Sequence, residues 1–139
     1  MEYPADLSFL FYNPTRVIFG AGSSGAAGVE LGNLKCKKAL VVTDRFLYEK
    51  TDVVKKVEKS LGVACAGVFC DVPPDSGVDV VNAGAKLGKE RGADSIVSVG
   101  GGSAIDTAKG IAIVLKEGGS LLDYLGYGTT LGTWFHGGR

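Results

Sequence analysis

The chain has 139 residues, 45% of them hydrophobic and 22% charged, and its 15 Lys and Arg balance its 15 Asp and Glu for a formal net charge of zero. That length suits one domain burying roughly two thirds of its unfolded surface, and the neutral balance leaves no electrostatic footprint for nucleic acid or an anionic membrane. A single His and 3 Cys with no C-x-x-C pair argue against a zinc site built from this chain alone, whereas 22 Gly without a short period fit an α/β chain with many tight turns.

Residues 8–12 and 16–20 read as two short strands flanking the Asn13-Pro14-Thr15 turn, an N-terminal hairpin or edge pairing. A glycine-rich turn over 20–25 leads into a short helix over 26–34. Residues 37–44 form an apolar strand ending in Asp44. Between 48 and 61, Val53, Val54, Val57 and Leu61 recur at helical spacing opposite Lys55, Lys56, Glu58 and Lys59, predicting an amphipathic helix closed by Gly62. A strand over 63–70 follows. The Asp71-Val72-Pro73-Pro74 turn then offers Asp75 or Ser76 as the cap of a helix running to about Arg91, with Val78, Val81, Ala85 and Leu87 on its buried face. Residues 94–99 are a further apolar strand. Gly100, Gly101, Gly102 and Ser103 come next, then a helix over 104–116 and a short helical piece over 120–125.

Strands that are apolar throughout belong in a parallel sheet covered on both faces. Three strand–helix alternations of about thirty residues each therefore predict an α/β fold: a single domain with a doubly wound, mostly parallel, Rossmann-like sheet. Glu2 and Asp6 open the chain where a leader would need a basic and then an apolar stretch, and no apolar run approaches the ~18 residues of a membrane span. The odd number of unevenly spaced thiols, Cys36, Cys65 and Cys70, reads as buried and reduced. A soluble, cytoplasmic protein is the expectation.

Two glycine turns compete as phosphate sites. Gly20, Gly22 and Gly25 fit G-x-G-x-x-G after a strand and before a helix, with Asp44 about twenty residues on, but a plain strand-to-helix turn explains them too. Gly100, Gly101 and Gly102 lie between the most strand-like segment and the strongest helix. There, backbone N–H groups can approach an anion unobstructed and the helix dipole adds positive potential. Ser103 can cap that helix or donate to a phosphate. A capping box of Ser103 and Asp106 is the alternative, although it does not account for three glycines.

The run Gly100-Gly-Gly-Ser-Ala-Ile-Asp106-Thr-Ala-Lys109 resembles the GGGSxxDxAK signature of the iron-containing (group III) alcohol dehydrogenases, relatives of glycerol dehydrogenase. The stretches 94–100, 14–22 and 40–44, together with Asp123 and Tyr124, are similar to the same family, and the resemblance runs from about Ser8 to Thr133. It implies a cofactor-binding domain over 1–133 with an irregular tail over 134–139. In it Gly100, Gly101, Gly102 and Ser103 would hold the pyrophosphate of NAD, residues 20–25 would be only a structural turn, and Asp44 would reach the adenosine ribose. A carboxylate there would repel a 2′-phosphate, favouring NAD over NADP; capping the next helix is the plainer role for it, and the two can coexist. Asp106 and Lys109 would face the cofactor by resemblance, but three apart on a helix they also suit a surface pair. The 71–74 turn could flank the adenine or simply be rigid.

Enzymes of that family bind a divalent metal, Fe2+ or Zn2+, through one Asp and three His in a helical second domain. This chain, with only His136, is expected to lack that domain and its metal site. Its end departs from the family's TTxGTGSE loop, which Thr129 and Thr130 only superficially echo. The expected function is thus the NAD-binding domain of a metal-dependent alcohol dehydrogenase, inactive alone and acting on a small alcohol or diol only with the missing half. The alternatives are a non-catalytic nucleotide-binding or subunit-interaction module, a glycerol-dehydrogenase-like polyol oxidoreductase, or a Rossmann protein using residues 20–25. Phe9 and Phe11 on an edge strand make a homodimer plausible.

Overall fold

The computed structural model describes residues 15–124. Three strands, β1 (Ala39–Thr43), β2 (Cys65–Phe69) and β3 (Ser95–Val99), form a parallel sheet in the order β2-β1-β3. After β1 come α2 (Arg45–Lys50) and α3 (Val53–Leu61); α4 (Val78–Glu90) joins β2 to β3, and α5 (Gly102–Glu117) follows β3. A short helix, α1 (Ala27–Asn33), preceded by a 3-10 turn at Ser23–Ala26, comes before the sheet; further 3-10 turns lie at Gly62–Ala64, ahead of β2, and at Leu121–Tyr124, after the sheet.

All five residues of β1 are buried, as a central strand covered on both faces requires. Alternation along the strand divides the core. Leu40 and Val42 pack with Phe69, Val81, Ala85, Ala108 and Ile111 beneath α4 and α5, while Ala39 and Val41 pack with Leu31, Val54, Val57 and Leu61 beneath α1 and α3. The chain steps from β1 to β2 with α3 on one face, then crosses back past β1 to β3 with α4 on the other. Right-handed crossovers taken in opposite directions produce that arrangement, the doubly wound topology. Asp94, just before β3, ties the strand starts together: its carboxylate accepts from the N–H groups of Lys37 (2.8 Å) and Lys38 (2.9 Å), and these bonds hold its pKa below the usual carboxylate range.

Several sequence expectations need correction. Residues 16–20 form no strand, and the other arm of the expected hairpin, with Phe9 and Phe11, lies outside the described residues, as do the segments 126–130 and 131–139. The single helix expected over 48–61 is two, because Thr51 leaves the helical path and its hydroxyl donates to the Leu47 carbonyl (2.6 Å) while accepting from the Val53 N–H (3.4 Å). Neither Asp75 nor Ser76 caps α4; Gly77 does. Asp75 takes a positive φ of 52°, and the Ser76 hydroxyl is engaged with the Pro73 carbonyl and the Thr107 hydroxyl. The three thiols are free but half-buried rather than buried. Among the described residues no helix is long and apolar enough to cross a membrane.

Candidate functional site

The strand order sets the carboxyl ends of β1 and β3 side by side, with the following helices leaving to opposite faces. In an open parallel sheet that reversal creates a crevice. Asp44 enters it from β1. It is the N-cap of α2, in extended backbone (φ −92°, ψ 161°), and its Oδ1 accepts from the Leu47 N–H at 2.8 Å. The cap therefore uses one carboxylate oxygen and leaves the second free to face the crevice.

Gly100 enters from β3. Its φ of +149° is one that side chains rarely adopt, and a Cβ there would meet the Ala104 Cβ at 2.9 Å and Asp44 Oδ2 at 3.6 Å. Glycine is thus required by the backbone at this position, which brings the free Asp44 oxygen beside the turn. Gly101 and Gly102 differ. Neither has a positive φ, and a Cβ on either would meet nothing within 4 Å. The fold itself gives no reason for glycine at these two positions. Both line a cleft of about 500 Å³.

One wall of the cleft is the start of α5. The helix has 16 residues and begins at Gly102, with Gly101 as its N-cap and no side-chain cap. Its first-turn N–H groups and the positive end of its dipole belong to the cleft wall. Ser103 is consequently the second residue of the helix and not its cap, which corrects the capping-box alternative; its hydroxyl accepts from the Asp75 N–H at 3.4 Å. The other walls are Asp44, Arg45 and Phe46 after β1, and Val72, Pro73 and Pro74 after β2. Phe46 is 69% exposed. The cleft is thus electropositive where α5 begins, apolar along Phe46 and the two prolines, and carries a carboxylate between. An extended anion bearing hydroxyls and a flat apolar group matches that distribution.

Arg45 and Phe46 were not singled out from the sequence, although both directly follow a strand's carboxyl end, the position from which crevice residues come. The Arg45 guanidinium pairs with Asp71, at the end of β2, and with Glu49 (3.4 Å), and the Asp71 bond raises its pKa further. Burial, then the Asp71 charge, pushes the neighbouring Cys70 thiol up.

Asp106 and Lys109 lie further along α5 and are not among the cleft residues; they form an exposed ion pair at 3.1 Å. The first glycine turn, residues 20–25, does not follow a strand. Its helix docks on α3: the Gly28 N–H donates to Ser60 Oγ (3.0 Å), Ser60 Oγ donates to the Gly25 carbonyl (2.6 Å), and a Cβ on Gly28 would sit 2.1 Å from the Ser60 carbonyl oxygen. Ser60 lies in the last turn of the helix that leads towards β2, so this turn is anchored at the sheet's amino edge, opposite the cleft. Among the described residues no group of three or more His, Cys, Asp or Glu could hold a metal ion.

The chain is similar to known proteins in sequence and in fold. The family model for iron-containing alcohol dehydrogenases matches residues 14–133. Over 120 residues the chain is 38% identical to the NAD-dependent methanol dehydrogenase of Bacillus methanolicus, covering 84% of this chain and 31% of that protein. Among solved structures, the NADH-dependent butanol dehydrogenase A of Thermotoga maritima superposes with a TM-score of 0.76 at 28% identity, covering 84% of this chain and 30% of that one. The sulfoacetaldehyde reductase of Bifidobacterium kashiwanohense, solved in complex with NAD+, shares the fold with a TM-score of 0.80 at 24% identity, over 88% of this chain and 32% of that one. The chain thus spans about a third of the length of these relatives. With the family model covering most of its length and the glycine turn at the sheet's switch point, the chain belongs to the iron-containing alcohol dehydrogenase family.

Proposed function

We propose that this chain is the NAD-binding part of a metal-dependent alcohol dehydrogenase. The observation that carries the reading is the pair Gly101 and Gly102: glycines with no backbone need to be glycine, opening onto a cleft at an uncapped helix start. Close approach of a phosphate to backbone N–H groups is the physical reason to keep a Cβ away from such a position. In this reading the first turn of α5 and Ser103 hold the pyrophosphate, Gly100 sets the turn, and the free oxygen of Asp44 accepts from the adenosine ribose hydroxyls. Phe46, Pro73 and Pro74 offer the apolar surface for the adenine. Asp106 and Lys109 lie toward the nicotinamide end, their mutual pair exposed enough to be exchanged for other contacts.

When bound, the dinucleotide supplies the hydride acceptor for an alcohol. The described residues do not fit the family's divalent metal, so polarising the substrate hydroxyl is not assigned to them. A polypeptide of these 139 residues is accordingly expected to bind NAD and to produce no NADH from a primary alcohol or diol. Calorimetric titration with NAD and with ADP-ribose tests the binding. Micromolar affinity for both is expected, since the contacts lie on the adenosine and pyrophosphate side, and absence of both overturns the reading. Steady NADH formation by this polypeptide from a primary alcohol overturns the assignment of substrate activation elsewhere.

A further inference from the structure

Arg45 is the feature that the binding reading leaves unexplained. It directly follows the ribose-facing Asp44 and lines the same cleft, and an Arg near the ribose is the group that accommodates the 2′-phosphate of NADP. Here its guanidinium is occupied by two carboxylates, Asp71 from the end of β2 and Glu49 from the next turn of its own helix. Both ion pairs are solvent-exposed, Arg45 by 63% and Asp71 by 59% of its side chain. Pairs of that kind contribute little to stability, so folding alone gives weak reason for bridging the ends of two strands in this way.

We propose that Asp71 is a positioning residue for cofactor choice: by pairing with Arg45 at the end of β2 it neutralises the cation that would receive a 2′-phosphate, and so reinforces the preference for NAD set by Asp44. The proposal rests on the NAD-binding reading and deepens it. Two carboxylates then discriminate by different routes, Asp44 by direct repulsion at the ribose and Asp71 by neutralising a neighbour. Glu49 remains within reach of Arg45 when Asp71 is changed, which limits the size of the effect.

The test measures dissociation constants for NAD, NADP and 2′,5′-ADP in the full chain and in the variants Asp71→Asn, Asp71→Glu and Arg45→Ala/Asp71→Asn, each checked for an unaltered circular dichroism spectrum. Release of one exposed ion pair corresponds to at most about a fivefold change, so Asp71→Asn is expected to raise the NADP-to-NAD affinity ratio about two- to fivefold. Asp71→Glu, which restores the pair, returns the ratio toward its original value, and removal of Arg45 abolishes the gain. A ratio unchanged in Asp71→Asn while NAD still binds overturns the proposal and leaves the NAD-binding reading standing. A gain that persists without Arg45 also overturns it, because the effect would then be the charge of Asp71 acting directly. Failure of the unaltered chain to bind NAD overturns both.

Discussion

Replacing Gly101 with valine separates binding from folding at one position. The backbone there has φ −90° and a Cβ meets nothing within 4 Å, so valine enters open space without strain. The folding cost is confined to a poorer N-cap, about 1 kcal/mol at most, and a thermal transition within a few degrees of the original is expected. The valine methyls extend from a residue of the cleft wall beside the first turn of α5, where a phosphate must come within hydrogen-bonding distance. Each bond from an N–H to a charged phosphate contributes about 1.5–3 kcal/mol, so losing two weakens NAD by at least about a hundredfold. Gly102→Ala supplies an internal contrast. Alanine replaces glycine at the first residue of α5 without a positive φ, which stabilises the fold by about 0.4–1 kcal/mol by restricting the unfolded chain, while its methyl is added to a residue that lines the same cleft. Stability and affinity then move in opposite directions in one variant. Calorimetry for NAD and scanning of the thermal transition read both quantities. If Gly101→Val folds normally and binds NAD within twofold of the original chain, the phosphate cradle is misplaced.

Asp44→Asn retains an equally good N-cap but loses the charge that opposes a 2′-phosphate; about a tenfold rise in the NADP-to-NAD affinity ratio is expected, and an unchanged ratio removes Asp44 from the ribose site. The lowered pKa of Asp94 means that its bonds to Lys37 and Lys38 stabilise the fold above the usual carboxylate pKa of about 3.9 and are lost as pH falls through the lower folded value. Urea titrations should therefore show Asp94→Ala less stable than the original at neutral pH, with the gap closing in acid; a gap independent of pH contradicts the assignment. Ile111, fully buried between α5 and the sheet, should cost about 2–5 kcal/mol on truncation to alanine, read as a lower urea midpoint with the m-value unchanged; a loss under about 1 kcal/mol would mean that the face beneath α5 is loosely packed.

The sheet was readable because a parallel strand buried on both faces must be mostly apolar, as residues 39–42 are before the buried Thr43 at the strand's carboxyl end. The glycine turn was readable for a related reason: its position after β3 follows from local order alone. What the sequence concealed was decided by competing side-chain bonds or by tertiary proximity. Thr51 divides a segment that reads as one helix, because its hydroxyl satisfies backbone groups that the helix would otherwise use. Ser76 has the chemistry of a cap and uses it on Pro73 and Thr107 instead. The pairing of Arg45 with Asp71 depends on β1 and β2 being neighbours, which no local pattern announces. Gly100 and its two successors look identical in sequence, and only the backbone angle separates the one the turn demands from the two it merely tolerates.

The central position of β1 also bears on how the chain is made. β1 ends at Thr43 and its second neighbour begins at Ser95, so one side of a mostly apolar strand has no partner until synthesis has advanced through the intervening segment. At about 5–20 residues per second that interval lasts roughly 3–10 s. During it the nascent chain presents an open apolar edge of the kind that pairs with other strands, which makes the arrival of β3 the event that ends its exposure to aggregation and chaperones.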